Sequence, residues 1–593
     1  MIPDQILFFV IITGVFAFFL WGRWRYDLVA FAALLVSVFT GLIPADIAFE
    51  GFSHPAVITV AAVLIISRGI ANSGAIERFS DVVTPPLKNL SSQIGVISSF
   101  AAALSAMMNN VAALALLMPS TMESAKKAKR SPALLLMPLS FGSILGGLIT
   151  LIGTPPNIVI GNYRTDALGA PFTMFDFAPV GLALALVGVA YLAFIGWRFL
   201  PKERQAQSAP EDLFNIDAYT SEVIVAEGSK AVDLKLPDLH DIAAKCEVQV
   251  LSLIRNHQPL SINRKRTTLK EKDGLLILAG PKELDVFIHE LDLQVRGELE
   301  KKEEILSLEE LMLVEAVISP DSRLIGRVMG DLRMRSRYGL NVMGISRQGT
   351  IIKERLHKVS FEAGDILLIQ GDEDSLSDTL SRLKLLPLSE RGFQMGKRSQ
   401  ALLAVGLLAG ALALTGFGFM GLTIALALAA FGMVATSIVP MRDMYDAIDW
   451  PVIVLVGCMI PIGGAFETTG ATALVTDIIL TWSEGQSPVF VLGLLFIITM
   501  TLSDLMNNVA TAVMMAPIGI GLASALSVNP DTFLMAVAVS SSCAFLTPIG
   551  HKNNALVMGP GGYKFGDYWR VGLPLEIIIV IIGLPVLLWA WPL

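Results

Sequence analysis

The chain has 593 residues, 53% of them hydrophobic and only 16% charged, with a net charge of −8 and a mean hydropathy of +0.64. Soluble domains carry nearer ~25% charged residues, so this composition excludes a soluble enzyme or nucleic-acid binder and points to a polytopic membrane protein. Three cysteines (Cys246, Cys458, Cys543) form neither a zinc spacing nor a disulfide framework.

In chain order, apolar stretches long enough for ~30 Å of hydrocarbon fall at 5–22, 27–43 and 55–72. The N-terminus lacks a basic region followed by a small-residue cleavage site, so its apolar run is expected to be a first span. A polar, interfacial piece follows, with Glu77, Arg78, Asp81 and Lys88. The stretch 93–124 is interrupted at its centre by Asn109-Asn110, which predicts a re-entrant hairpin with the amides at its tip. Irregular backbone at membrane depth is tolerated only where protein or a water-filled cavity satisfies it. The span 132–168 is broken at Gly153-Thr154-Pro155-Pro156-Asn157, and 177–200 closes the first half.

The order then repeats. Spans are predicted at 400–415, 418–439 and 451–468, a hairpin at 488–527 with its tip at Asn507-Asn508, a broken span at 532–559, and a last span at 569–592. Met107-Met108-Asn109-Asn110-Val111-Ala112, ending at Pro119, pairs with Leu505-Met506-Asn507-Asn508-Val509-Ala510, ending at Pro517. A serine precedes each asparagine pair, Ser105 and Ser503, and the breaks at Gly153 and Thr547-Pro548-Ile549-Gly550 keep the same register. The expected fold is an α-helical polytopic membrane protein with ten spans and two hairpins.

Basic residues orient it, because cytoplasmic loops carry the Lys and Arg. With the N-terminus outside, the cytoplasmic segments hold Arg23, Arg25, Arg78, Lys88, Lys126, Lys127, Lys129, Arg130, Arg198, Lys202, Arg204, Arg442, Lys552, Lys564 and Arg570. External segments 44–54, 469–487 and 526–531 have none, and 161–176 has only Arg164. Both termini are therefore expected outside. The halves are expected to be two inverted repeats of five transmembrane helices plus a re-entrant hairpin each, over 1–204 and 396–593. Between them, 205–395 reads as a cytoplasmic α/β insert, itself duplicated as 205–298 and 299–395. Its second copy runs as strand, turn and amphipathic helix (314–332), strand (340–346) and strand (364–371); the first runs through 223–239 and 247–255 to 273–280.

Inverted repeats with helices broken near the bilayer midplane are the architecture of secondary transporters. Unwound carbonyls and side-chain oxygens can replace the water around a cation, and helix N-termini beyond each break point positive dipole ends at an anion. Ser105, Asn110 and backbone near Gly153 would form one cation site, and Ser503, Asn508 and backbone near Gly550 its twin. An anion fits between the tips.

The phrases Asn-Asn-Val…Pro, Gly-Thr-Pro-Pro-Asn and Thr-Pro-Ile-Gly-His-Lys-Asn-Asn…Gly-Pro-Gly-Gly-Tyr resemble the divalent anion/sodium symporter family, within the ion transporter superfamily, over 1–200 and 400–593. The insert, in Leu313–Leu386 and more faintly in Val223–Leu293, is similar to the TrkA C-terminal-type regulatory domain of potassium-conductance regulators. The combination resembles the sulfate-transporting branch. That resemblance implies a homodimer in the lipid bilayer of a cell membrane of bacterial inner-membrane type, with sodium as coupling ion, no organic cofactor and an elevator motion. By position it implies anion contacts from Asn109, Asn110, Val111, Thr154, Pro155, Asn507, Asn508, Val509, Thr547 and Pro548. Where dicarboxylate members carry Ser-Asn-Thr at the tip, this chain has Asn109-Asn110-Val111 and Asn507-Asn508-Val509. The hydroxyls that hold carboxylates are missing, which favours a tetrahedral oxyanion.

Other polar residues have simpler readings. Lys552 and His551 could offset a dianion, though reaching the cytoplasmic interface is the preferred account. Asp504 could carry a proton, help bind sodium, cap the tip or meet a partner across the hairpin. Arg68 and Glu467 read as interface anchors, Met107, Met108, Met514 and Met515 as packing, Gly146-Gly147 and Gly463-Gly464 as close helix contacts, and Gly274 and Gly364 as turn residues. The expected function is sodium-coupled symport of a small inorganic divalent anion, sulfate first, with the insert tuning activity through a small regulatory ligand or dimer contacts. The rivals are a sodium/dicarboxylate symporter, an arsenite or sodium/proton antiporter, and a channel gated by the insert, the last lacking a Thr-Val-Gly-Tyr-Gly-like filter.

Overall fold

A computed structural model describes residues 3–21, 24–73, 89–170, 172–205, 398–482 and 486–593, and between 220 and 388 the strands and helices given below with parts of their connections. The chain divides into two compact units, Met1–Gln207 with Phe393–Leu593, and Ser208–Gly392.

The first unit is helical. Its first run holds α1 (Pro3–Trp21), α2 (Tyr26–Phe39), α3 (Pro55–Asn72), α4 (Leu90–Ser105), α5 (Asn110–Lys127), α6 (Ala133–Gly147), α7 (Pro155–Leu168) and α8 (Ala178–Phe194). The second run holds α9 (Arg398–Gly416), α10 (Leu422–Ala435), α11 (Met441–Ala447), α12 (Trp450–Thr468), α13 (Ala471–Trp482), α14 (Pro488–Leu505), α15 (Asn508–Leu526), α16 (Pro530–Ser542), α17 (Lys552–Met558) and α18 (Tyr568–Ala590). Proline opens α3, α7, α14 and α16, where its missing N–H costs nothing. Residues in left-handed conformation, Gly169 (φ +77°) and Ser527 (φ +55°), close α7 and α15.

Both asparagine pairs interrupt helices as expected: α4 and α5 separate at 106–109, and α14 and α15 at 506–507. Both later breaks are present too, at 148–154 and 543–551. Packing between the runs is reciprocal. Helix α3 lies on α10 while α2 lies on α12, and α7 lies on α15 while α17 lies on α5. Within each run the hairpin's first arm packs on the helix before the break, α4 on α6 and α14 on α16. Gly146 lets α4 and α6 touch backbone to backbone, since a Cβ there would sit 2.2 Å from Ala102 O.

Two departures from the expected spans stand out. Segment 469–487, expected as an external loop, contains α13, an apolar helix whose lack of basic residues disguised it; and α11 precedes α12, bent from it by 53°. The interfacial piece with Glu77, Arg78, Asp81 and Lys88 lies outside the described residues. Among the described residues, four helices are long and apolar enough to cross a bilayer alone: α3, α14, α15 and the stretch Phe565–Ala590. Seven further apolar helices are 10–17 residues long.

Tyr563, from the quoted Gly-Pro-Gly-Gly-Tyr phrase, stitches the two runs together. Its hydroxyl accepts from Met137 N (2.8 Å) and donates to Ala133 O, standing inside the hydrogen-bond ladder of α6. Tyr563→Phe should lower stability by about 1–3 kcal/mol, the cost of an unpaired buried N–H. Thermal unfolding of the purified variant checks this; an unchanged midpoint would mean that α6 closes Met137 N directly onto Ala133 O.

The second unit contains two five-stranded antiparallel sheets. The first comprises β1 (Thr220–Val225), β2 (Gln249–Arg255), β3 (Gln258–Leu260), β4 (Gly274–Leu278) and β5 (Leu293–Val295), ordered β3-β2-β4-β1-β5. The second comprises β6 (Leu311–Ile318), β7 (Asn341–Arg347), β8 (Thr350–Ile351), β9 (Ile366–Asp372) and β10 (Leu385–Pro387), ordered β8-β7-β9-β6-β10, the same arrangement. Each carries one amphipathic helix, Pro281–Leu291 or Glu373–Leu383, before its last strand. The strand, turn and helix expected over 314–332 are present as strand β6, turns and the short helix Met329–Leu332. Each sheet has a bidentate arginine–aspartate pair, Arg255–Asp273 and Arg347–Asp365. Hydrogen bonding to the buried carboxylate pushes both guanidinium pKa values up from their ordinary value. The same carboxylates accept from Lys270 N and Glu362 N, which fixes the turns before β4 and β9. Gly364, with φ +85°, is a turn residue as expected, whereas Gly274, expected as another, is the first residue of β4 and pairs with Ile224.

Candidate functional site

The two asparagines of each tip divide their labour. Asn109 Oδ1 accepts from Val111 N (2.9 Å) and Asn507 Oδ1 from Val509 N (2.9 Å), so the first of each pair is the N-cap of the hairpin's second arm. Asn110 is buried and accepts from Ser105 Oγ at 2.7 Å. Gly147 lies against that amide: a Cβ on it would sit 2.3 Å from Asn110 Oδ1. Gly153 packs in turn on Gly147, with its absent Cβ 2.5 Å from Gly147 O. Ser105, Asn110 and Gly153 are thus brought to one place.

The breaks are held open by identical bonds in both copies. Asn157 Nδ2 donates to Gly147 O (3.2 Å) and Thr150 O (2.9 Å). Asn554 Nδ2 donates to Ala544 O (3.0 Å) and Thr547 O (3.1 Å). Thr150 Oγ1 donates to Ala106 O, and Thr547 Oγ1 to Asp504 O, each at 2.6 Å. Each hairpin is therefore fastened to its own break. Asn157 and Asn554 were absent from the expected site; their presence in the two break phrases was the available signal.

The second break reaches the first tip. Asn110 Nδ2 lies 3.2 Å from His551 Nε2, and Asn553 Nδ2 donates to Asn110 O (3.2 Å) and Ser143 Oγ (2.5 Å). His551 is buried, so the interfacial reading preferred for it fails. Its Nδ1 accepts from Asn553 N at 3.2 Å and caps α17. Lys552 stays partly buried and pairs with Asp449, just before α12, at 2.5 Å.

The second half is less closely assembled. Ser503 donates to Ser541 O, and a Cβ on Gly550 would sit 2.5 Å from Ser503 O, so these two meet. Asn508 Oδ1 accepts from Val509 N (2.9 Å), and among the described residues no hydrogen bond joins it to Ser503. Asp504 is buried and holds its own break, accepting from Leu546 N at 2.9 Å. Glu576 of α18 accepts from Phe545 N at 3.2 Å beside it. Thr154 caps α7, Pro155 opens it, Val509 and Pro548 are buried, and Val111 is half-buried.

Among the described residues, the buried oxygens without a hydrogen-bond partner include Thr154 Oγ1, Asn157 Oδ1 and Asn553 Oδ1 on these segments. Each such orphan costs about 1–3 kcal/mol. Carbonyl and hydroxyl oxygens of this kind suit a dehydrated cation, while the N-termini of α5, α7, α15 and α17 suit an anion. Of the lesser readings, Arg68 and Met107 are exposed, Met108 and Met515 are buried, and Gly464 has open space around it instead of a helix.

A family profile described as a citrate transporter matches residues 16–532. The chain is 31% identical to an uncharacterized transporter of Synechocystis, over 94% of this chain and 92% of that one. It is 28% identical to an uncharacterized transporter of Escherichia coli, over 94% of each. It is also 25% identical to a protein of Chlamydomonas reinhardtii named sodium/sulfate cotransporter 1, over 46% of this chain and 32% of that one.

Proposed function

Because the chain belongs to the citrate transporter family, and so is a membrane transporter and not an enzyme, we propose that it is a sodium-coupled symporter of an inorganic divalent anion, sulfate first. The observation that carries this reading is the Ser105–Asn110 pair over Gly147, ringed by break residues of both halves that bring orphaned oxygens. Sodium would take oxygens from Ser105, Asn110 and Gly153, and in the second half from Ser503, Asn508 and Gly550. The anion would sit between the tips among Asn109, Asn110, Val111, Thr154 and Pro155 from one half and Asn507, Asn508, Val509, Thr547 and Pro548 from the other. Relatives named sodium/sulfate cotransporters support the choice of ions.

The two runs act in this reading as inverted repeats, 1–204 and 396–593, with hairpins 93–124 and 488–527 moving elevator-fashion in a homodimer. Both termini lie outside, and the lobes 205–298 and 299–395 are cytoplasmic regulators of TrkA C-terminal type that take a small ligand. The duplicated sheet order supports the division of the insert.

The family's description favours one other reading, a carboxylate cargo. Radiolabelled sulfate uptake into proteoliposomes under an inward sodium gradient separates them. The proposal expects sodium-driven accumulation, insensitive to a tenfold excess of succinate or citrate. Competition by either carboxylate, with little sulfate accumulation, would replace sulfate by a carboxylate.

A further inference from the structure

His551 poses a proton-counting problem whose solution connects the two ligands. Its Nδ1 accepts the Asn553 N–H, so that nitrogen carries no proton and the ring is neutral with its proton on Nε2. Nε2–H then faces the Asn110 amide 3.2 Å away. An NH2 group presented there would set donor against donor. Turned over, the amide accepts from His551 with its carbonyl oxygen and donates to Ser105 Oγ with its nitrogen, which removes the clash of donors. With the carbonyl toward Ser105 instead, at 2.7 Å, the oxygen lies on the Gly147 side where a cation would use it, and His551 Nε2–H loses its acceptor.

We propose that the Asn110 amide is a two-position toggle between the cation of the first repeat and His551, so that cation binding releases the His551 Nε2–H to the anion. This rests on the symport reading and deepens it: His551 becomes the positioning residue that makes anion affinity depend on sodium. It stands in the second break yet acts on the first tip, so it joins the halves at the place where coupling is needed. The corresponding position in the first break is Thr154, also an N-cap and buried, with its hydroxyl unpaired.

The test is His551→Asn in the purified full-length protein, because asparagine keeps a cap acceptor but cannot reach the tip. Sodium-22 binding without anion should tighten about fivefold, since the competing donor to Asn110 is gone. Binding of radiolabelled sulfate in saturating sodium should weaken about tenfold, since a donor to a charged acceptor is gone. Opposite movement of the two affinities is the signature; structural damage would weaken both. His551→Gln, whose amide reaches toward the Nε2 position, should recover part of the sulfate affinity. Both affinities falling together, or sodium affinity unchanged, would overturn the toggle. If the unaltered protein binds sodium but no sulfate, the symport reading fails, while the sodium arm still decides the toggle.

Discussion

Gly147→Ala is expected to reduce sodium-driven anion uptake at least about fivefold without reducing the amount of folded protein. The new Cβ would stand 2.3 Å from Asn110 Oδ1 and 2.9 Å from its Cγ and Nδ2, so the amide must leave its place beside Ser105. Overpacking of this kind costs about 1–3 kcal/mol, which is roughly fivefold to over a hundredfold in affinity. Neighbouring glycines act as controls. Gly146→Ala would drive a Cβ to 2.2 Å from Ala102 O and 2.4 Å from Ala102 Cα, a backbone clash expected to lower the yield of folded protein. Gly464→Ala meets nothing within 4 Å and should be silent. Uptake normalised to protein in the membrane distinguishes the three; full activity in Gly147→Ala would show that the Asn110 amide does not need its present position.

Asn110→Ala should raise the sodium concentration for half-maximal uptake by about tenfold or more, and Asn508→Ala by less. Both remove an oxygen from a proposed cation site. Asn110 also loses its bond with Ser105 and its contact with His551, whereas among the described residues the Asn508 side chain bonds to the next N–H of its own helix. Asn109→Ala and Asn507→Ala delete caps instead, costing about 1 kcal/mol of stability with little change in sodium dependence. Sodium titrations of uptake in the four variants check the division. Unchanged sodium dependence in both Asn110→Ala and Asn508→Ala would remove the cation assignment.

Much of the helical order could be read from residue type, because paired asparagines, prolines and glycines inside apolar runs have few uses other than breaking helices. The tips at Asn109-Asn110 and Asn507-Asn508 and the breaks near Gly153 and Gly550 were all found this way. Helix α13 was not, since Ala471–Trp482 lacks basic residues and charge was the signal used to assign loops. The amphipathic helix Glu373–Leu383 was missed although Leu376, Leu380 and Leu383 repeat along one face and are buried. At the site, sequence could not tell the capping asparagine from the facing one, because both are the same residue one position apart and only backbone geometry separates them. Nor could it bring His551 and Asn553 to Asn110. That contact joins residues far apart in sequence and depends on how the two runs pack.

The most direct measurement is calorimetric titration of sulfate into the purified protein, once in sodium chloride and once in choline chloride. The two-site symport account predicts saturable sulfate binding in sodium that weakens at least tenfold in choline and in Asn110→Ala. Equal binding in both salts, or citrate binding in place of sulfate, would contradict it.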